Sequence, residues 1–220
     1  MITDFNVLDN FYSDPDAVVK KLNGDYPIIG CGTGSRSIGL RDIDENLYLG
    51  FCDGLFNIHG ISSKGLAVDT FFMEHSRNEN EIFNHGWTHI DGKNPDVCRM
   101  TTETYDIVCA GVIFLTPQPD MGAGITISKL KPSVDWTQEE LFIKTIDEYT
   151  IPRENFEAGK ISLEEYTKLH KEYHDNFYDV AYAGNIYNRM VSWRGMTLHG
   201  HKLATMNKRL NQYFFIYKAS

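Results

Sequence analysis

The chain has 220 residues, enough for one domain with a substantial core, and its 42% hydrophobic content is ordinary for a globular protein in water. With 21 basic against 30 acidic residues the net charge is −9, which argues against bulk nucleic-acid binding or attraction to anionic membranes. Cys31, Cys52, Cys98 and Cys109 have neither CxxC nor disulfide-framework spacing, the opening MITDFNVLD is acidic where a secretory leader is basic, and no apolar run reaches the roughly 18 residues of a membrane span, so a cytoplasmic protein is expected.

Residues 4 to 8 read as a short strand, followed by a helix capped by Asp14, with Pro15 at its first position and Ala17, Val18, Val19 and Leu22 along its apolar side. From 26 to 66 the glycine-rich chain predicts loops and brief strands, such as Leu47 to Phe51, outside any helical layer. The GCGTGS run at 30 to 35 has no lysine after it and no helical pattern, so it reads as a plain loop and not a phosphate cradle. Strong strand patterns occupy 104 to 116, 186 to 193 and 209 to 217, rich in β-branched and aromatic residues, and make the core mainly β. Between the first two, Thr137 with Glu140 and Ser162 with Glu165 form capping-box patterns ahead of helix-forming runs, which predicts a helical insertion over 132–180 within a single domain spanning 1–220.

Charge divides the same way. Residues 132–180 hold twelve acidic and five basic side chains, a net of −7 out of −9. After Asp179 no acid occurs, while Arg189, Arg194, Lys202, Lys208, Arg209 and Lys218 are basic, a local composition suited to a small anion.

The sharpest local signal is HGWTHIDG at 85 to 92. On a strand, His89 and Asp91 project from one face and can meet one ion, while Ile90 turns into packing on the other. A second histidine from a distant strand would complete a two-histidine, one-carboxylate facial triad with open positions, the donor set of non-haem Fe(II) oxygenases. His199 and His201 in MTLHGHKLATMNKRL share one strand parity and both compete for that place. Arg209, ten residues beyond His199, can hold a carboxylate through two parallel hydrogen bonds, which a lysine cannot imitate. His85 and His89 would suit Zn²⁺ on a helix, but Gly86, Thr88 and Ile90 favour extended chain. Trp87 shares the parity of the HxD pair and is a candidate pocket wall, and Arg189 and Arg194 are candidates to meet an anionic substrate.

HID, the strand VIFLT, the turn GAGITI, then YNRMVSWRGMTLHGH and the terminal RLNQYFFIY together resemble the prolyl-4-hydroxylase-like branch of the 2-oxoglutarate and Fe(II)-dependent dioxygenases, and within it small bacterial and viral members of unassigned substrate. The similarity covers most of 1–130 and 180–220. It implies a double-stranded β-helix, a jelly-roll barrel with flanking helices, holding Fe(II) on His89, Asp91 and His199, with 2-oxoglutarate on Arg209 and O₂ as co-reactant. His199 is preferred over His201 because its spacing to Arg209 fits that family. The implied reaction is oxidative decarboxylation of 2-oxoglutarate to succinate coupled to hydroxylation of a substrate C–H bond. Relatives often carry a tyrosine where this chain has Phe114, so another donor has to assist Arg209, and Thr126 and Asn211 are the candidates from strand geometry. The Phe114 departure is also the one hint of the rival reading, a jelly-roll binding or structural protein without turnover. A third reading, a metal-dependent isomerase on a similar barrel, would want more clustered histidines and would not need Arg209. If the insertion is a lid over the mouth, its helices turn Phe142, Ile146, Tyr166 and Leu169 toward the barrel; otherwise it packs on the outer wall.

Overall fold

The computed structural model describes residues 5–22, 28–31, 34–37, 39–75, 88–91, 107–118, 120–202 and 209–218. Two antiparallel sheets build it. Strands β1 (Phe5–Leu8), β2 (Ile28–Cys31), β3 (Gly34–Ser37), β4 (Leu66–His75), β6 (Ile107–Phe114), β9 (Met190–Arg194) and β11 (Arg209–Lys218) form the larger sheet, in the order β1-β9-β6-β11-β4-β3-β2. The smaller sheet has the order β5-β10-β7-β8, from β5 (Thr88–His89), β10 (His199–His201), β7 (Asp120–Leu130) and β8 (Phe177–Asn185).

Period-two alternation sorts the side chains of the larger sheet into two cores. Ala110, Val112 and Phe114 of β6, Val191 and Trp193 of β9, Phe71 and Met73 of β4 and Tyr213 of β11 face Ile125, Ile127 and Ala183 of the smaller sheet. The intervening residues, Cys109, Ile113, Met190, Phe72, Phe214 and Ile216, turn to the other side against α1 (Pro15–Leu22) and α3 (Glu45–His59) through Val18, Phe51 and Leu55. The inner faces of the two sheets therefore pack on each other, and the helices close the larger sheet's outer face. Gly111 is required at its place, because a Cβ there would overlap the ring of Phe214 and the carbonyl oxygen of Val191.

The first helix begins as predicted, with Asp14 Oδ1 accepting from Ala17 N at 3.0 Å. The stretch from 26 to 66 departs from its expectation. It contains α2 (Leu40–Ile43) and the fifteen-residue α3, and Leu47 to Phe51 is helical. Asp44 caps α3 by accepting from Leu47 N at 3.0 Å, Gly60 ends it at φ 59°, and Phe51, Cys52, Leu55 and His59 are buried on one side. Packing of that side outweighs the strand preference of its tyrosine and phenylalanines. The glycine-rich run at 30 to 35 is likewise more than a loop, since β2 and β3 form an antiparallel pair there.

β6 lies within its predicted segment, residues 104–106 falling outside the described ones, and β11 covers its own and runs one residue further, to Lys218. The predicted strand at 186 to 193 is displaced: 186–189 form a turn, with Asn188 at φ 62°, and the strand runs from Met190 to Arg194. β8 begins at Phe177, so the helical segment ends at His174 and does not reach 180.

Between β7 and β8 stand α4 (Gln138–Lys144), a π-helical turn (Thr145–Thr150), α5 (Ile151–Glu157) and α6 (Leu163–His174). Thr137 and Glu140 form the reciprocal capping box, and Ser162 accepts from Glu165 N. The side chains that bind this layer to the barrel are Leu141, Tyr149 and Tyr173, which pack with Phe177 and Ile90. Of the four expected to turn inward, Phe142 joins that cluster, Ile146 is exposed, Leu169 is half-buried, and Tyr166 stacks on Phe156 within the helical layer at 5.1 Å.

Candidate metal centre and anion pocket

His89 lies on the end strand of the smaller sheet, and the antiparallel register places His199 of β10 directly opposite it. Their rings stand 4.3 Å apart. Asp91, two residues beyond His89, reaches both: its Oδ1 is 3.7 Å from His89 Nε2 and its Oδ2 3.4 Å from His199 Nε2. The donor atoms of the three residues all lie within 4.8 Å of one another. These separations are long for hydrogen bonds, and the set is two neutral-capable imidazoles and a carboxylate, which is what an open divalent-metal site requires.

The surroundings prepare these groups as ligands. His199 Nδ1 donates to the carbonyl of Thr197 at 2.9 Å, which places the proton on Nδ1 and leaves Nε2 a free lone pair facing Asp91. Trp193 packs on the His199 ring at 4.2 Å and donates its indole N–H to Asp91 Oδ2 at 3.3 Å. Burial raises the Asp91 carboxyl above the usual range, opposed by neighbouring His199 and by the Trp193 bond. A carboxylate in that position lacks a full counter-charge, and a divalent cation would supply one.

The same interior holds an unusual cation. Arg209 is 2% exposed, and its guanidinium makes one hydrogen bond, from Nη1 to the carbonyl of Lys202 at 3.3 Å, while Nε and Nη2 are buried without a partner among the described residues. Burial lowers its pKa, resisted by Tyr213, Asp120 and Tyr182. Two strand positions further, Asn211 donates to the Tyr213 hydroxyl at 3.0 Å, and its Oδ1 has no partner among the described residues. The Tyr213 hydroxyl in turn meets His75 Nε2 at 2.8 Å. His201, half-buried beside them with its Nδ1 enclosed and without a partner among the described residues, is pushed well below its ordinary pKa by burial and then by the Arg209 charge, so the group facing the guanidinium is neutral.

Among the sequence-derived candidates, the structure thus brings His89, Asp91 and His199 together, and separately gathers Arg209 and Asn211. Thr126 has the opposite parity from the inward Ile125 and Ile127, and its hydroxyl donates to the Gly200 carbonyl at 3.2 Å. Arg189 is paired bidentately with Asp9, at 2.5 and 2.9 Å, and Arg194 is exposed at the end of β9, so neither faces this interior. His85 and Trp87 lie outside the described residues. Trp193, Tyr213 and His75 were not singled out from the sequence. Their signal was parity, since Tyr213 follows Arg209 and Asn211 at intervals of two.

No family model and no curated protein sequence matches the chain. Solved structures do. HygX from Streptomyces hygroscopicus, with nickel and 2-oxoglutarate bound, superposes with a TM-score of 0.57 at 12% identity, over 98% of this chain and 83% of that one. An oxidoreductase of the 2OG-Fe(II) oxygenase family from Burkholderia pseudomallei gives 0.56 at 11% identity, over 98% and 84%. A Pseudomonas putida prolyl-4-hydroxylase gives 0.53 at 11% identity, over 99% and 94%. The chain has the fold of the 2-oxoglutarate and Fe(II)-dependent oxygenases.

Proposed function

We propose that the protein is a non-haem, Fe(II)- and 2-oxoglutarate-dependent dioxygenase of the hydroxylase type on a double-stranded β-helix, single-domain from 1 to 220, with His89, Asp91 and His199 holding the metal and Arg209 the cosubstrate. The observation that carries this reading is the presence in one interior of a His-Asp-His donor set and of a buried guanidinium whose Nε and Nη2 have no partner among the described residues. A metal-chelating dicarboxylate is the ligand that completes both. HygX, the neighbour with the same fold, was solved with nickel and 2-oxoglutarate.

Bound Fe(II) supplies the chemistry, coupling decarboxylation of 2-oxoglutarate by O₂, to succinate and CO₂, with insertion of the other oxygen atom into a substrate C–H bond. The chain's own residues bind and orient. His199 and Asp91 are held in ligating geometry by Thr197 and Trp193. Arg209, buried at 2% exposure, would receive the distal carboxylate in a fork of parallel hydrogen bonds. Asn211, with Tyr213 and neutral His201, takes the place that Phe114 leaves without a hydroxyl; Thr126 would contribute only through the Gly200 backbone. With a neutral imidazole beside it, the guanidinium carries the positive charge for the anion by itself.

The test is anaerobic titration of 2-oxoglutarate into apo and Mn(II)-loaded protein, followed by assay of succinate with Fe(II) and O₂. Binding that requires metal, and succinate that disappears in His89→Ala, are expected. Metal-loaded protein that neither binds 2-oxoglutarate nor forms succinate would overturn the proposal and favour a binding protein on the same fold.

A further inference from the structure

Among the described residues β5 comprises Thr88 and His89 and sits at the end of the smaller sheet, yet it carries His89. On one side it is held by β10, through the pairs His199↔His89 and Gly200↔Thr88. A strand held by one neighbour alone frays readily, and a ligand on it would lose its geometry. On its other side two consecutive residues of α6 meet its backbone. The Tyr173 hydroxyl donates to the carbonyl of Thr88 at 2.8 Å, and the amide of Thr88 donates to His174 Nε2 at 3.3 Å. A strand residue presents its N–H and C=O on the same edge, so these two side chains occupy the positions of a neighbouring strand.

Both partners are themselves fixed. His174 Nδ1 lies 2.7 Å from the carbonyl of His170, which can only accept, so the proton is on Nδ1 and Nε2 is an acceptor for the Thr88 amide. The Tyr173 hydroxyl also lies 2.9 Å from that of Thr145, which itself donates to the Leu141 carbonyl at 2.8 Å. Thr145 opens the π-helical turn, a local widening often found where a helix serves a site. Ile90, between the two ligands of the HxD pair, is 5% exposed and packs with Leu141, Tyr149, Tyr173 and Phe177.

We propose that Tyr173 and His174 are positioning residues of the metal centre, and that the helical layer between β7 and β8 acts as a bracket on the metal-binding strand and not as a cover over the mouth. The inference rests on the reading of His89, Asp91 and His199 as metal ligands. In its terms, α6 sets where His89 stands by holding the preceding residue at both backbone groups, and the Ile90 contacts set the turn that brings Asp91 back to the same ion.

Mn(II) affinity of the full-length protein and hydrogen exchange at the Thr88 amide test this together, in wild type, His89→Ala, Tyr173→Phe, His174→Ala, His174→Gln and the Tyr173→Phe/His174→Ala pair, each checked for a folded melting transition. The paired variant is expected to lose Thr88 protection and to bind Mn(II) about tenfold more weakly, the lower end of what removal of a ligand's supporting contacts costs. His174→Gln, whose amide oxygen still accepts from Thr88, should recover part of both. Tyr173→Phe keeps the ring in its cluster, so its effect reads the hydroxyl alone. Faster Thr88 exchange with unchanged Mn(II) affinity would make the contacts structural only and overturn the proposal, as would unchanged exchange. Absence of Mn(II) binding in wild type would instead remove the metal reading, and the bracket with it.

Discussion

A guanidinium that is 2% exposed, with two nitrogens unpartnered among the described residues, is a cation kept out of water at a cost to the fold. Arg209 therefore makes opposite predictions for stability and for binding. Arg209→Met should melt no lower than wild type in the absence of ligand, yet lose the stabilisation that 2-oxoglutarate gives the Mn(II)-loaded protein, about 2.7 kcal/mol at a hundredfold excess over Kd. A less stable variant that keeps its ligand-induced shift would show that the guanidinium is structural. Arg209→Lys keeps the charge but not the fork, and should raise the Kd for 2-oxoglutarate about tenfold, in line with one lost charge-assisted hydrogen bond. Cys109 makes a different kind of test. It is fully buried, its thiol is pushed up to about 12 by burial, and it lies 3.8 Å from His59 Nε2. Alkylation at pH 8 followed by mass spectrometry should leave Cys109 unmodified in the native protein and label it after denaturation; rapid native labelling would mean that the α3 layer opens readily.

At the scale of elements, the larger sheet depends on close approach at Gly111, where β6 runs between β9 and β11. Both obstacles to a Cβ there, the Phe214 ring and the Val191 carbonyl, are core groups with little room to move. Gly111→Ala should cost about 1–3 kcal/mol, the usual range for overpacking, read from the urea midpoint at constant m-value. A variant as stable as wild type would show that β6 and β9 can part without penalty. The elements legible in the sequence were those whose signals are local: Asp14 before Pro15, the Thr137 and Glu140 box, and the β-branched and aromatic runs of β6 and β11. α3 was not legible as a helix, although Asp44 and Gly60 mark its ends, because its tyrosine, phenylalanines and two glycines carry the opposite propensity and only burial against the larger sheet decides. β8 was hidden for another reason. Asp179 and its exposed neighbours Tyr178 and Val180 continue the acidic, half-polar pattern of α6, and the strand exists because β7 pairs with it.

At the scale of the molecule, the HxD pair was legible from its one-residue spacing, although the strand ends at His89 and Asp91 lies beyond it, whereas the opposition of His199 to His89 is a property of the sheet register alone. The same holds for the helical layer, whose place against β5 no local pattern in 132–180 announces. Its point of attachment makes it removable without breaking the sheet: Lys131 N donates to the Asn176 carbonyl at 2.9 Å, and Leu130 pairs with Phe177, so β7 and β8 form a hairpin into whose turn the helices are spliced. A four-residue Gly-Ser loop in place of 132–175 can close that hairpin. The deletion would uncover Ile90 and Phe177, each contributing about 1.5–3 kcal/mol when buried, and would release both backbone groups of Thr88. A cover over the mouth, once removed, would leave metal and 2-oxoglutarate binding intact and impair only turnover on substrate. The bracket arrangement requires the reverse order of loss: a lower melting temperature and weakened Mn(II) binding in the shortened chain, with 2-oxoglutarate binding falling as the metal does. Full Mn(II) affinity in a folded, shortened protein would return the helical layer to the role of a cover or an ornament.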